Sequence, residues 1–287
     1  MRVFRKSSRR SNRYWGGSFV ILEPKILILD LVMVRYPKPC SVRELLQAAR
    51  LFQISDNSLR VAVTRLVAQH WLKSEGRGLY GAGEQIQAMS QEIRSWRYAQ
   101  DRIRAWTGHF LFAFLPERPK YDRTEIRHRA RALGMMGFQD VASDIHVRPD
   151  NLRASLEEVR QRLVTLGMTA DHVLVSAEHI AGLDEKYIKN LWPIKQLDQQ
   201  YLEMTVRMRS WMQSARHMQT EHAARESFLL GREVIRQINR DPWLPEDWID
   251  ASSRQTYFET AIEFDRYGWT FWMDLLSWPE KYPSRSD

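Results

Sequence analysis

The stretch at residues 55–80, SDNSLRVAVTRLVAQHWLKSEGRGLY, constrains the fold more than any other part of the chain. Ser55 is a candidate N-cap, because a serine side chain accepts hydrogen bonds from the exposed amides at a helix start. The amphipathic pattern that follows predicts a helix over about residues 56–70, ending next to Trp71. A short basic segment with two glycines then closes on Leu-Tyr, as in a β-hairpin. A helix followed by such a hairpin is typical of a winged helix-turn-helix, which we expect over residues 25–83.

The predicted third helix has an apolar face and a polar face. The apolar residues recur at helical spacing and are expected in the core: Leu59, Ala62, Val63, Leu66 and Val67. In a DNA major groove, arginine reads guanine, asparagine reads adenine and a methyl group meets thymine. We therefore expect DNA contacts from the outward residues, which are Asn57, Ser58, Arg60, Val61, Thr64 and Arg65. An ordinary solvated helix face is the alternative.

Contacts with phosphates or with a minor groove are expected from basic residues outside this helix. They are Lys73 and Arg77 in the wing, and Arg9, Arg10 and Arg13 in an N-terminal arm. Residues 1–104 hold 19 Lys and Arg against 8 Asp and Glu, whereas residues 105–287 hold 24 against 27. A basic N-terminal third on a near-neutral body indicates a module that binds a polyanion. We expect residues 1–24 to form a basic disordered arm. The alternative to a polyanion-binding module is that this arm alone produces the charge imbalance.

Two further helices are expected before the recognition helix. They cover residues 25–35 and about 41–53. Ser41 begins the second one, and Glu44 stands where the glutamate of a capping box belongs. After the wing, the pattern predicts a linker helix over residues 84–105.

The rest of the chain predicts a multidomain α+β protein. The order β-α-β-β-α-β over residues 106–183 is that of a central ferredoxin-like domain. Residues 184–287 are helical in pattern and contain seven of the eleven tryptophans, which predicts an all-α C-terminal domain for effector binding and dimerisation.

The bulk properties favour a cytoplasmic protein. The single cysteine, Cys40, excludes an internal disulfide, and a reducing cytoplasm is the simplest compartment. The longest apolar run, at residues 26–34, is interrupted by Asp30 and is too short to cross a bilayer.

The sequence offers no motif of enzyme chemistry. The segment GRGLYGAGE lacks the spacing of a nucleotide-binding loop, and HExxH and G-x-S-x-G are absent. His217 and His222 are five residues apart, which is poorer than the three or four that place two ligands on one helix face. We therefore expect no catalytic residue, metal or cofactor. The alternative is a metal-dependent nuclease using the ferredoxin-like domain, although its first strand, FLFAFLPER, lacks the acid that small nucleases of this fold carry there.

The chain resembles the PaaX family of bacterial transcriptional repressors over about residues 25–278. The segments that carry the resemblance are SLRVAVTRLVAQHWL, GRGLY, LGMMGFQDVASDIHVRPDNL, LWPI, LDQQYLE and REVIRQINRDPWLP, in this order and spacing. The resemblance implies the three domains given above and binding of a double-stranded DNA operator as a homodimer. It also implies a repressor of an aromatic catabolic operon that an aryl-CoA thioester releases from DNA.

The C-terminal domain contains residues that suit such an effector. An acyl-CoA carries phosphates and an apolar tail, so its site needs arginines beside an aromatic pocket. The candidate site consists of Arg207, Trp211, Arg225, Arg232 and Arg236. The last three are seven and four residues apart and can share one helix face. The alternative is a solvated face on which Glu226 and Glu233 pair with these arginines.

A homodimer is expected because a palindromic operator needs a two-fold protein, and each chain has one predicted winged helix. The aromatic C-terminal helices and the central domain are the available surfaces. Trp269, Phe271 and Trp272 are expected to pack internally or at that interface.

Overall fold

The computed structural model of the protein describes residues 22–87, 95–116 and 122–278. The chain divides after Glu84 into two compact units, which we call the N-terminal unit and the C-terminal unit. Each contains helices and one antiparallel sheet, so the α+β class expected from the sequence is confirmed. The basic arm, residues 1–24, lies outside the described residues except for its last three.

The N-terminal unit consists of three helices and a three-stranded sheet. The helices are α1 (Pro24–Arg35), α2 (Val42–Leu51) and α3 (Asp56–Ala68), and the strands are β1 (Cys40–Ser41), β2 (Leu72–Gly76) and β3 (Leu79–Ala82). The strand order is β1-β3-β2. The sequence does not predict β1, because two residues are too few to show an alternating pattern.

Local side-chain chemistry sets where these helices begin and end. The predicted capping box at α2 is present: the amide of Glu44 donates to Ser41 Oγ over 3.2 Å, and the amide of Ser41 donates to Glu44 Oε2 over 2.5 Å. At α3, Ser55 Oγ accepts from the amide of Ser58 over 3.2 Å. The helix ends at Ala68, and His70 then adopts a left-handed φ of 59° that turns the chain towards β2.

Apolar residues of all three helices close the core of the N-terminal unit. Leu59, Val63 and Leu66 form the buried side of α3, which packs against α1 and α2. Each fully buried aliphatic side chain contributes about 1.5–3 kcal/mol to folding. The thiol of Cys40 lies in the same interior, and burial raises its pKa to about 12.

The C-terminal unit combines a four-stranded sheet with helices. Its strands are β4 (Phe110–Phe114), β5 (Gln139–Ala142), β6 (Ile145–Pro149) and β7 (Val173–Ala177). Its α-helices are α4 (Arg123–Met135), α5 (Leu156–Thr165), α6 (Glu185–Lys189), α7 (Ile194–Ala215), α8 (Thr220–Ile238) and α9 (Ala251–Leu276). Within the described part of the chain, no helix has the length and apolar character needed to cross a membrane.

The sheet has the order β5-β6-β4-β7, and every neighbouring pair is antiparallel. Successive residues of β4 point to opposite faces. Leu111 and Ala113 belong to the core shared with α4, α5 and the long helices, whereas Phe110 and Phe112 pack with Trp192 and other residues in a second cluster. Both faces of β4 are therefore buried over most of its length.

The linker helix expected over residues 84–105 is not a continuous α-helix where it is described. Residues 84–87 are helical, residues 88–94 lie outside the described residues, and Ser95–Arg102 form 3₁₀ turns interrupted at Tyr98. The residues that follow Arg102 are not helical, because their backbone pairs with that of another segment. The amide of Arg104 donates to the carbonyl of Asn151 over 2.8 Å, and Ile103 forms a β-bridge with Leu152.

A buried polar network joins the sheet to the loop between α8 and α9. Arg148 is fully buried and donates to the carbonyl of Pro149 and to Asn151 Oδ1, both over 3.0 Å. Asn151 in turn donates to the carbonyl of Trp243 over 2.8 Å. Burial lowers the pKa of Arg148 to about 10.

The same loop carries a second buried charge. Asp241 accepts from the Tyr201 hydroxyl over 2.6 Å and from the amide of Trp243 over 2.8 Å. Burial raises the pKa values of both Asp241 and Tyr201. The segments predicted as central and C-terminal domains thus lie in one compact unit and share a core and a polar network.

Candidate nucleic-acid interface

The side of α3 that faces away from the core is uniformly exposed. We call this surface the outer face of α3, and it consists of Asn57, Ser58, Arg60, Val61, Thr64 and Arg65. The inward side is held by Leu59, Val63 and Leu66, which are at most 3% exposed. The division follows from the 3.6-residue helical period, and the outward residues are those predicted from the sequence.

Two hydroxyls of the outer face are engaged within the helix. The hydroxyl of Ser58 accepts from Ser55 Oγ over 2.8 Å, and Thr64 Oγ1 donates to the carbonyl of Arg60 over 3.1 Å. These bonds are local and leave the Thr64 methyl group available for apolar contact. The two side chains are therefore less free to bond a base edge than the sequence suggested.

The longer polar side chains of the outer face form no such local hydrogen bonds with the described residues. Asn57, Arg60 and Arg65 are exposed, and their side chains form no hydrogen bond or ion pair with any residue that the structure describes. Asp56 begins the helix, and its carboxylate lies 3.8 Å from the guanidinium of Arg50. The outer face therefore presents two cations and one amide with unused hydrogen-bonding capacity.

The hairpin of β2 and β3 follows α3 directly. Its turn contains Gly76 at φ 141° and Gly78 at φ 74°, conformations that side chains with a Cβ rarely adopt. Arg77 stands between them at the tip, where it is exposed and has no partner among the described residues. The turn thus projects one free guanidinium into solvent.

Lys73 of the same hairpin differs from the prediction made for it. Its Nζ lies 2.9 Å from Glu75 Oε1, so its charge is already paired. Residues two apart on a strand share a face, which is the signal in the sequence that could have identified Glu75 as the partner. A Cβ placed on Gly81 would lie 2.2 Å from Glu75 Oε1, so this glycine leaves room for the carboxylate.

The predicted arm residues Arg9, Arg10 and Arg13 lie outside the described residues. The other residues predicted to contact DNA lie on two elements that follow one another in the chain, α3 and the β2–β3 hairpin.

The five residues of the candidate effector site do not form an open pocket. Trp211 is 7% exposed and lies in a cluster of aromatic rings, with centroids 5.0 Å from Phe264, 5.8 Å from Tyr267 and 5.9 Å from Phe271. From the sequence, this indole is expected beside the arginines as part of a binding pocket. Its burial instead makes it a core side chain, because the aromatic residues of α9 cover it.

The arginines of this set are largely paired or packed. Arg207 lies 2.7 Å from Glu233, and Arg225 lies 3.2 Å from Glu226. The guanidinium of Arg232 lies 5.9 Å from the ring centroid of Phe228. Arg236 alone among the five is an exposed side chain for which the described residues supply no partner. The pairing of arginines with Glu226 and Glu233 is the alternative that the sequence left open.

Two of the three C-terminal aromatics expected to pack internally or at an interface are buried within the chain. Trp269 and Trp272 are 8% and 5% exposed, and the Trp272 indole donates to Ser227 Oγ over 3.3 Å. Phe271 is partly buried against Trp211.

An open depression of about 460 Å³ lies beside the β5–β6 hairpin. Its ionisable side chains lie in pairs: Arg129 lies 3.1 Å from Asp144, and His146 Nδ1 lies 2.6 Å from Asp140. Burial lowers the pKa of His146. The described part of the chain contains no group of three or more His, Cys, Asp or Glu that could hold a metal ion.

Comparison with known proteins identifies a similar fold and assigns no activity. No family model and no curated protein sequence matches the chain. A solved structure, "Uncharacterized protein Rv0674 from Mycobacterium tuberculosis", aligns with a TM-score of 0.55 and 20% sequence identity, covering 84% of this chain and 97% of that one. This protein is similar to it in fold over most of the chain.

Proposed function

We propose that the protein is a sequence-specific DNA-binding transcriptional regulator, a repressor of an aromatic catabolic operon. The observation that carries the proposal is the outer face of α3, where Asn57, Arg60 and Arg65 are exposed and have no partner among the described residues, next to a hairpin tipped by Arg77. A helix of this kind enters the major groove in proteins that read DNA, and a basic hairpin beside it can meet the backbone.

The topology of each unit supports a finer assignment. Three helices with a sheet ordered β1-β3-β2 suit a winged helix-turn-helix, in which α3 is the recognition helix. In the C-terminal unit, strands and helices alternate as β-α-β-β-α-β with the spatial order β5-β6-β4-β7. Numbered within the motif, that order is 2-3-1-4, which is the arrangement of a ferredoxin-like fold. The sequence resemblance to PaaX repressors points to the same architecture.

Selection of binding sites from a random duplex library, followed by measurement on variants, tests the proposal. Arg60→Ala should reduce the free-energy difference between specific and nonspecific binding by about 1–3 kcal/mol, because it removes a contact that discriminates between bases. Arg77→Ala is the matched control, since it removes the same charge from the wing. It should weaken specific and random duplexes about equally, as expected for a phosphate contact.

Two outcomes would contradict the proposal. One is a library that yields no preferred sequence. The other is an Arg60→Ala protein that keeps full discrimination, which would exclude α3 as the reading element even if DNA binding persisted.

The proposal includes a homodimer and an acyl-CoA effector, both suggested by the resemblance. A dimer would place two copies of α3 on two half-sites of a palindromic operator. An effector that binds the DNA-free conformation more tightly would release the operator. Light scattering at operator-saturating concentrations tests the dimer, and a monomer there would refute it.

A further inference from the structure

A row of three arginines runs along the solvent side of α4 in the C-terminal unit. Arg123, Arg127 and Arg131 are four residues apart, so they lie on one face of the helix, and all three are exposed. We call this surface the α4 arginine face. The opposite side of α4 carries the buried Ala132 and Leu133.

The three side chains have almost no partners among the residues that the structure describes. Arg123 and Arg131 form no side-chain hydrogen bond or ion pair with the described residues, and Arg127 has a single 3.4 Å bond to Thr124 Oγ1. The fourth arginine of α4 behaves differently: Arg129 is partly buried and lies 3.1 Å from Asp144. Arg129 therefore forms an ion pair within the fold, whereas Arg123, Arg127 and Arg131 extend into solvent.

The arrangement opposes the stability of α4 itself. Arg123 is the first residue of the helix, where the macrodipole favours an anion and disfavours a cation by about 0.3–1 kcal/mol. The Arg123–Arg127 and Arg127–Arg131 pairs are like charges at i,i+4, each destabilising by about 0.2–0.5 kcal/mol. Glu125 in the first turn offsets part of this positive charge, and a bound anion would offset more of it.

The shape and spacing of this face suit an extended polyanion. Ala130 and Gly134 are small and exposed beside the arginines, and a Cβ built on Gly134 would meet nothing within 4 Å. Residues four apart on a helix are separated by about 6 Å along its axis. A nucleic-acid strand carries a phosphate about every 3.4 Å of its axis, so each arginine can meet a different phosphate.

We propose that the α4 arginine face binds the phosphate backbone of duplex DNA independently of base sequence, as a second contact surface besides the outer face of α3. The inference takes its partner from the function proposed above. It assigns a DNA-binding role to the C-terminal unit, which contributes affinity and salt dependence but no discrimination between bases. Guanidinium groups suit this role because they form charge-assisted, bidentate hydrogen bonds with phosphate oxygens.

The test uses the full chain and a random-sequence duplex of about 60 base pairs, so that no operator is required. The triple variant R123Q/R127Q/R131Q should reduce the slope of log affinity against log salt by up to about 2.7, since each lost phosphate contact removes about 0.9. The matched control is R209Q/R216Q/R240Q, which removes three charges from exposed arginines elsewhere in the C-terminal unit. The control should keep the wild-type slope.

A third variant, R123K/R127K/R131K, keeps the charges and should retain most of the slope, which separates loss of charge from loss of fold. Equal slopes for the glutamine triple and wild type, or an equal decrease in the control triple, would overturn the inference. Binding of the wild type to anionic phospholipid vesicles in place of DNA would also overturn it. Loss of slope in the glutamine triple, in a protein that selects no preferred sequence, would support this inference while the proposed regulator function failed.

Discussion

The outer face of α3 and the arginines of α8 carry the same side chains in opposite surroundings. Arg60 and Arg65 on α3 are exposed and unpaired among the described residues. On α8, Arg225 is paired with Glu226 and Arg232 packs near Phe228. An arginine that already has a partner must lose it before it can bind a ligand, so charge alone is a poor guide to a binding surface. Free hydrogen-bonding capacity distinguishes Arg60 and Arg65 from Arg225 and Arg232, and on α8 only Arg236 is exposed without a partner among the described residues.

The largest expected effect concerns the support beneath the outer face of α3. Leu59→Ala should lower the free energy of unfolding of the N-terminal unit by about 2–5 kcal/mol, because the lost side chain leaves a cavity where Leu59 is fully buried. Urea denaturation measures the change. The neighbouring Arg60→Ala should change it by less than about 0.5 kcal/mol, as expected for an exposed side chain. Similar losses for both variants would contradict the division of α3 into two faces.

An intermediate effect is expected at Arg236, the one exposed arginine of α8 that has no partner among the described residues. If an acidic effector binds this helix, Arg236→Ala should weaken binding of an aromatic acyl-CoA about tenfold, equivalent to about 1.4 kcal/mol. Isothermal titration with a panel of acyl-CoA thioesters and their free acids measures this. Arg216→Ala serves as the control, because Arg216 is an exposed arginine just beyond the end of α7. Unchanged thioester affinity in Arg236→Ala would exclude the α8 face as the effector site.

The smallest effect is expected for the Arg207–Glu233 pair between α7 and α8. A double-mutant cycle with Arg207→Ala and Glu233→Ala should give a coupling energy of about 0.2–1 kcal/mol, since both side chains are partly solvated. The coupling should decrease as salt is added. A coupling that is unaffected by 1 M salt would show that the pair is held by more than its surface charges.

Local chemistry explains why the N-terminal unit was predictable from its sequence. The Ser41–Glu44 capping box acts over three residues, and the glycines of the β2–β3 turn act on their own backbone. The buried and outward residues of α3 follow from the helical period alone. None of these features depends on a distant part of the chain, so each could be inferred from a short window.

Long-range contacts explain what the sequence did not reveal. The bond from Asn151 to the carbonyl of Trp243 joins residues 92 positions apart. The burial of Trp211 depends on aromatic residues of α9 that follow it by more than fifty positions. The pairing of Lys73 with Glu75 is different, because it is local. Strand periodicity could have predicted it, since the two residues share a face of β2.

The close approach of Gly137 to the loop between α8 and α9 restricts how the molecule can be divided. A Cβ at Gly137 would lie 2.5 Å from the carbonyl oxygen of Pro242, so the two backbones are in direct contact. A fragment that ends between β7 and α6 would therefore lack the loop that covers Gly137 and Arg148. The buried guanidinium of Arg148 and the aromatic face of β4 would then be exposed to water. Limited proteolysis of the native protein should accordingly leave residues 122–278 together, and expression of the sheet without the helices should yield aggregates.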